Sequence, residues 1–264
     1  LDQDILCATD LSPASDHAVR SANIVAERIT ARITVLHVLH KNERDAQARD
    51  RALEELKAQI QRGEANERAT AKVLEGDFMK AIADESEMGH SLLVLATHGA
   101  RGLRQSLFGA DILKLVRHAA TPSLVVQEGV DHTKLLRRIV LPVAAHADID
   151  RLLGMVIALA KAFTADVHIY QLVRPGESPS DALLANKLKM LQALEVNSIR
   201  HEEVNEPSTS FSIGFADATI KYAERVEAGA IAIMAHASEE YRYIADAEKE
   251  RILANPARIP VLCA

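Results

Sequence analysis

The sequence predicts an α/β protein of two tandem doubly wound units, each a five-stranded parallel sheet with helices on both faces. Three observations predict it. Apolar runs of strand length alternate with segments whose apolar residues recur at helical spacing, the order that a parallel sheet with crossover helices produces. By Gln127 the alternation accounts for five strands, and it then restarts: Ile139 to Val143 (IVLPV) repeats the character of Ile5 to Thr9 (ILCAT) 134 residues further on. The composition is 48% hydrophobic but only 3% aromatic, so the cores must be built from aliphatic side chains.

Each element of the first half has a local reason. Ile5 to Thr9 is a short apolar run and the first strand. Ser15 is placed to cap a helix reaching about Ile29, with Ala18, Val19, Ala22, Val25 and Ala26 on its inner face. Ile33 to Leu39 is β-branched and aliphatic, a second strand. Asp45 to Gln61 is charged, with Leu53, Leu56 and Ile60 at helical spacing, and reads as a surface helix. Ala69 to Leu74 gives a third strand and Asp77 to Met88 a third helix. The aliphatic run Leu92 to Leu95 is a buried fourth strand ending in the turn ATHG. A glycine-punctuated, arginine-bearing loop follows. Asp111 then opens an amphipathic helix, with Ile112, Leu115, Val116 and Ala119 on one face, which Pro122 stops before the fifth strand. Strand, glycine loop and helix together suit a phosphate, because loop amides and a helix N-terminus point positive charge at one spot.

The second half repeats this plan after a short polar connector, Gly129 to Leu136. The same offset pairs Asp16 with Asp150, and the strand Ile33 to Val38 with Val167 to Leu172. Further on, Leu92 to Ala96 matches Ile231 to Ala235, and Thr121 to Val126 matches Ile259 to Ala264. A repeat of this length exceeds the ~20 to 50 residues of a solenoid unit and has the size of a domain. The expected domains are 1–128 and 137–264. They are expected to form an internal pseudo-dimer through their final strands, Ser123 to Gln127 and Val261 to Ala264, because an apolar edge strand invites pairing. A homodimer is a further expectation.

Bulk properties exclude several classes. A net charge of -6, with no lysine and arginine block, argues against a nucleic-acid partner. Cys7 and Cys263 lie in apolar runs and read as small buried hydrophobes, which suits a reducing cytoplasm. No run reaches the ~20 apolar residues of a membrane helix, since Leu152 to Ala160 is closed by Lys161, and no signal peptide is expected before Asp4. The eleven histidines show no HxxxH spacing, and His37 and His40 would face opposite sides of a strand, so no metal is expected.

ATDLSPASDHAV (Ala8 to Val19), ITVLHV (Ile33 to Val38) and THGARGLRQSLFGADILKLVRHAATPSLVV (Thr97 to Val126) resemble the universal stress protein family. A chain with two such units is similar to its tandem members. The resemblance implies an adenine-nucleotide alpha-hydrolase-like fold in each unit and a stress-response protein that binds ATP or AMP. ATP-binding members carry a glycine, two residues, a glycine, nine residues, a glycine, then serine or threonine. Here Gly99 and Gly109 match the second and third glycines, whereas Ala96 stands at the first and Ala110 replaces the hydroxyl residue. Gly102 lies inside the loop and does not restore the register. Asp10 matches the acid that such members place near the adenosine, and Val38 the apolar residue lining the adenine. His98, Arg101 and Arg104 are further phosphate-capable side chains of the loop.

Physical weights can be put on the departures. Alanine disfavours positive φ by roughly 1 kcal/mol, so Ala96 is costly only if the turn requires that conformation. Ala110 removes a hydroxyl whose hydrogen bond to a phosphate is worth roughly 1 to 3 kcal/mol, about tenfold to a hundredfold in affinity. Each residue also has a structural role to weigh: a tight turn for Gly99 and Gly109, a turn cap for Asp10, core packing for Val38, solvated surface for His98, Arg101 and Arg104. In the second half Ala144 sits where Asp10 sits, Leu172 replaces Val38, no glycine follows Ala235, and Glu239 and Glu240 would repel a phosphate. That half is expected to bind no nucleotide. Phe211, Ile213, Phe215, Ile220, Met190 and Leu191 would line either a second pocket or, more often, the core. Two functional classes follow: a nucleotide-binding stress protein that signals or protects, or a scaffold of the same fold acting through dimerisation or a second ligand. An enzyme reading is weaker, since GxxxxGK[ST] is absent and no nucleophile, base and orienter assemble; at most slow ATP hydrolysis is expected.

Overall fold

The computed structural model describes residues 4–40, 46–97, 111–173, 176, 178–208, 214–236 and 242–264. Contacts divide the chain into two units, Leu1–Val130 and Asp131–Ala264. The first contains β1 (Asp4–Thr9), α1 (Pro13–Ile29), β2 (Ile33–Leu39), α2 (Ala46–Arg62), β3 (Ala69–Glu75), α3 (Phe78–Ser86), β4 (His90–Thr97), α4 (Ile112–His118) and β5 (Ser123–Gln127). Its strands lie in the order β3-β2-β1-β4-β5, with every neighbouring pair parallel. β1 is therefore central: Cys7 lies opposite Val35 on one side and Val94 on the other. From β1 the chain winds out to β3 and returns across the sheet to β4, so the strand order reverses between β1 and β4. Ile5 to Ala8 and Leu92 to Leu95 are buried throughout, as strands covered on both faces must be.

α1 packs on β1, β4 and β5. Ala14, Ala18, Ala22 and Ala26, spaced four apart, are all buried with Val19 and Val25, and their small side chains let the helix approach the sheet closely. The helix begins earlier than a cap at Ser15 requires. Ser12 is its N-cap and Pro13 opens it, because a proline's fixed φ and missing N–H suit the first turn. Ser15 is instead buried within that turn. Asp111 is an N-cap by position, but its side chain makes no capping hydrogen bond, whereas Asp77 accepts one from the amide of Lys80.

The second unit contains β6 (Arg138–Pro142), α5 (Asp150–Phe163), β7 (Asp166–Val173), α6 (Asp181–Val196), β8 (His201–Pro207), α7 (Phe215–Arg225), β9 (Ala230–Ile233), α8 (Arg242–Leu253) and β10 (Val261–Cys263). Its order, β10-β9-β6-β7-β8, is the same parallel winding, with β6 in the place of β1 and β9 in that of β4. The stretch before β6 is only partly the polar connector its composition suggests. Leu135 and Leu136 are buried, and Leu136, at φ 57°, donates its amide to the carbonyl of Gly229 at 3.2 Å. Met190 and Ile220 are core residues, Leu191 and Phe215 are half-buried, and Phe211 and Ile213 lie outside the described residues. Tyr170 stacks on Tyr222 with ring centroids 4.6 Å apart, and His168 Nδ1 lies 2.6 Å from the Tyr222 hydroxyl.

Candidate functional site

β1 ends in an apolar run that delivers Thr9 and Asp10 to the carboxyl edge of the sheet, and the turn into α1 is wound around their side chains. Thr9 Oγ1 accepts the amide of Leu11 at 2.9 Å, and Leu11 takes a left-handed φ of 63°. Asp10 Oδ1 accepts the amide of Ser12 at 3.0 Å and the hydroxyl of Ser15 at 2.8 Å. These are the side-chain-to-backbone bonds by which threonine and aspartate stabilise turns. They occupy one carboxylate oxygen. Among the described residues Oδ2 carries no hydrogen bond and remains an acceptor for a ligand hydroxyl or amine.

The turn is held from α2 as well. Gln59 is fully buried; its Oε1 accepts the Thr9 hydroxyl at 2.6 Å, while its Nε2 donates to Asp16 at 2.9 Å and to the Ser12 carbonyl at 3.3 Å. Arg62, one turn on, pairs with Asp16 at 2.8 Å. From β2, His37 Nδ1 donates to the Thr9 carbonyl at 2.9 Å, which places the ring proton on that nitrogen. Thr9, Ser15, His37 and Gln59 thus support the site without having been singled out for it. A sequence signal existed only for Gln59, a polar residue on the apolar stripe between Leu56 and Ile60.

Of the sequence-derived site residues, Asp10, Val38 and Ala96 lie at the carboxyl ends of β1, β2 and β4, three adjacent strands. Asp10 and Ala96 flank the point where the strand order reverses, the crevice in which open parallel sheets hold ligands, and Val38 lies one strand away. Val38 is buried at 7% exposure, with its core role satisfied opposite Leu74. Ala96 is a ladder residue of β4, paired with Val126. His98, Gly99, Arg101, Gly102, Gly109 and Ala110 lie outside the described residues, as does Arg104. Among the described residues no three histidine, cysteine, aspartate or glutamate side chains are grouped to hold a metal ion, and no helix is long and apolar enough to cross a membrane.

The second unit joins β6 to α5 by a longer connection, residues 143–149 against 10–12 in the first, and without the acid. Ala144 follows β6 where Asp10 follows β1, and Asn186 on α6 takes the part of Gln59, its Nδ2 donating to the carbonyls of Ala144 and His146 at 2.9 Å each.

Sheet order, buried aliphatic strands and an acid beyond the central strand define a doubly wound α/β unit with its candidate ligand site at the switch in strand order. Residues 3–127 match the universal stress protein family model, and this first unit belongs to the universal stress protein family. The fold is shared more widely. A universal stress protein from Archaeoglobus fulgidus is 18% identical, with 100% of this chain and 99% of that chain covered at a TM-score of 0.75. A functionally unknown protein from Pseudomonas aeruginosa is 16% identical, with 99% and 92% covered at 0.61. The cytoplasmic domain of a prokaryotic cation chloride cotransporter is 12% identical, with 100% and 95% covered at 0.53. No curated protein matches the chain.

Proposed function

We propose that the first unit binds an adenine nucleotide, ATP or AMP, and that the chain acts in a cytoplasmic stress response as a signalling or protective protein without catalysis. Each unit is then an adenine-nucleotide alpha-hydrolase-like domain, of which only the first holds nucleotide. The observation that carries this reading is Asp10: one oxygen is locked into the β1–α1 turn and the other is left to a ligand, at the switch in strand order of the unit that matches the family. Val38 supplies an apolar wall beside it, and Gly99, Gly102 and Gly109 with His98, Arg101 and the start of α4 are the phosphate side of the site. Ala96 is compatible with this role, because a residue in a regular ladder needs no positive φ. Ala110 lowers affinity by the hydroxyl it lacks.

The same departures favour a second reading, a scaffold of the same fold that acts through dimerisation or another ligand. Titration calorimetry with ATP and AMP decides between them. The nucleotide reading expects binding by the wild type, a loss of about tenfold in Asp10→Ala, and no binding in Gly99→Val. A wild type that binds neither nucleotide, with its fold intact, overturns this reading in favour of the scaffold.

A further inference from the structure

We infer that α6 of the second unit is a docking surface for an amphipathic α-helix of a partner protein, a helix whose apolar seam is bounded at each end by a basic residue. Among the described residues four large hydrophobic side chains are exposed, and three of them, Leu184 at 45%, Leu188 at 55% and Val196 at 84%, lie on this helix. The winding gives α6 the place in its unit that α2 has in the first, between the second and third strands. Every exposed side chain of α2 from Gln47 to Arg62 is polar. Leucine on the outer face of α6 is therefore no requirement of the fold.

The helix is firmly held. Ser180 caps it, accepting the amide of Leu183 at 3.3 Å, and Asn186, Met190 and Leu194 are buried on its inner face. Lys189 reaches Asp150 of α5 on one flank, and Lys187 reaches Glu203 and Asn205 of β8 on the other. Asp181, Leu184, Leu188, Leu191 and Glu195 follow one another at intervals of three, four, three and four residues, the spacing by which one helix offers a seam to another. At 100° per residue this seam faces outward, nearer the β8 flank. There the glutamates of β8 and Pro207 oppose the entry of a strand, so the partner packs as a helix.

The ends of the seam select that partner. Asp181 suits the first turn of any helix, but Glu195 stands in the last turn, where the helix dipole disfavours an acid and no basic residue offsets it. Neither carboxylate makes an ion pair or a side-chain hydrogen bond among the described residues. A second copy of the chain fits poorly. The seam is symmetric about Leu188, so two antiparallel α6 helices would set Asp181 against Glu195 of the second copy at both ends, and two parallel ones would set each acid against itself. Like charges facing each other suppress such a pairing. A helix with apolar residues at the same spacing and a lysine or arginine at each end satisfies the leucines and the acids together. The surface is independent of whether the first unit holds nucleotide.

The test titrates the full chain onto two labelled synthetic helical peptides, read by fluorescence anisotropy. Both carry leucine along the seam; one has lysine and the other glutamate at the seam ends. The lysine peptide should bind about tenfold more tightly or better. Leu184→Gln combined with Leu188→Gln keeps the net charge and should weaken that binding by about tenfold, which separates docking from the attraction of any cationic peptide to an acidic protein. Asp181→Lys combined with Glu195→Lys should reverse the preference between the peptides. All four positions are exposed, and circular dichroism verifies the fold of each variant. Failure of the lysine peptide to bind, equal binding of the two peptides, binding undiminished in the leucine variant, or a preference that the charge exchange does not reverse overturns the inference. So does sedimentation of the chain alone as a dimer that Leu188→Gln dissociates, which would give the surface to a second copy.

Discussion

Asp10 shows how one side chain serves structure and ligand together. Its Oδ1 closes the β1–α1 turn, a cap of the kind any aspartate after a strand provides, and its Oδ2 is spare. The acid was legible because it ends an apolar run. Its support was not, because Gln59 lies 49 residues away in a charged helix whose buried face is decided only by what it meets. Gln59→Leu leaves the Thr9 hydroxyl, the Ser12 carbonyl and Asp16 each short of a bond. It should cost about 2 kcal/mol in urea unfolding, with the slope against urea unchanged. Ala96 is the reverse case, a departure whose cost depends on φ, which the letter does not carry; in the structure it is an ordinary strand residue. The cysteines behave as the apolar runs imply. Cys7 and Cys263 are buried and burial pushes both thiols up to about 12. Neither should react with a thiol reagent at neutral pH until denaturant opens the chain, since the thiolate is the nucleophile.

Elements reveal where local pattern suffices and where it does not. Strand positions in the first half were read to within two residues, because aliphatic runs bounded by polar turns are a local signal, whereas β8 has no such run and was not read. The start of α1 was misplaced by the attraction of Ser15 as a cap, when Ser12 and Pro13 make a better beginning. β3 and β8 each pair on one side only within their units, and β8 is kept polar. β8 reads HEEVNEP, with Glu202, Glu203 and Glu206 exposed or at the edge and Pro207 at its end, a pattern that discourages strand addition. The joint between the stretch before β6 and β9 is tighter than any pattern suggests. A Cβ on Gly229 would lie 1.8 Å from the Lys134 carbonyl oxygen and 2.8 Å from the Leu136 amide, both backbone atoms. Gly229→Ala should therefore destabilise the second unit by about 3 kcal/mol or more, measured by thermal or urea unfolding, because backbone cannot give way as a side-chain tip can.

At the scale of the molecule, one winding appears in each unit with different chemistry at the strand ends, Asp10 in the first and Ala144 followed by the half-buried His146 in the second. This difference has a pH signature. His146 and His168 are both held below the ordinary histidine value, chiefly by burial. Since the unfolded chain binds these protons more readily, their contribution is present above about pH 6.5 and is lost as pH falls toward the folded value, about 4 for His146. All four tyrosines lie beyond Asp131 and the chain has no tryptophan, so tyrosine fluorescence reports the second unit alone. In a buffer free of phosphate and carboxylate, its urea midpoint should drop between about pH 6.5 and 5, and His146→Gln should flatten that slope.

The sequence by itself determined the order of strands and helices, the repeat after Gln127, the family of the first half and the acid at the end of β1. All of these are written in spacing along the chain, in periods of two and 3.6 and in short apolar runs. Only the tertiary structure decided which residues meet at the strand ends: Gln59 and His37 around Thr9, Asn186 on the Ala144 and His146 carbonyls, Lys249 on the Met234 carbonyl. Those partners are brought together by crossovers that span tens of residues, and a side chain's role there depends on which neighbours and how little water surround it, which no local pattern encodes.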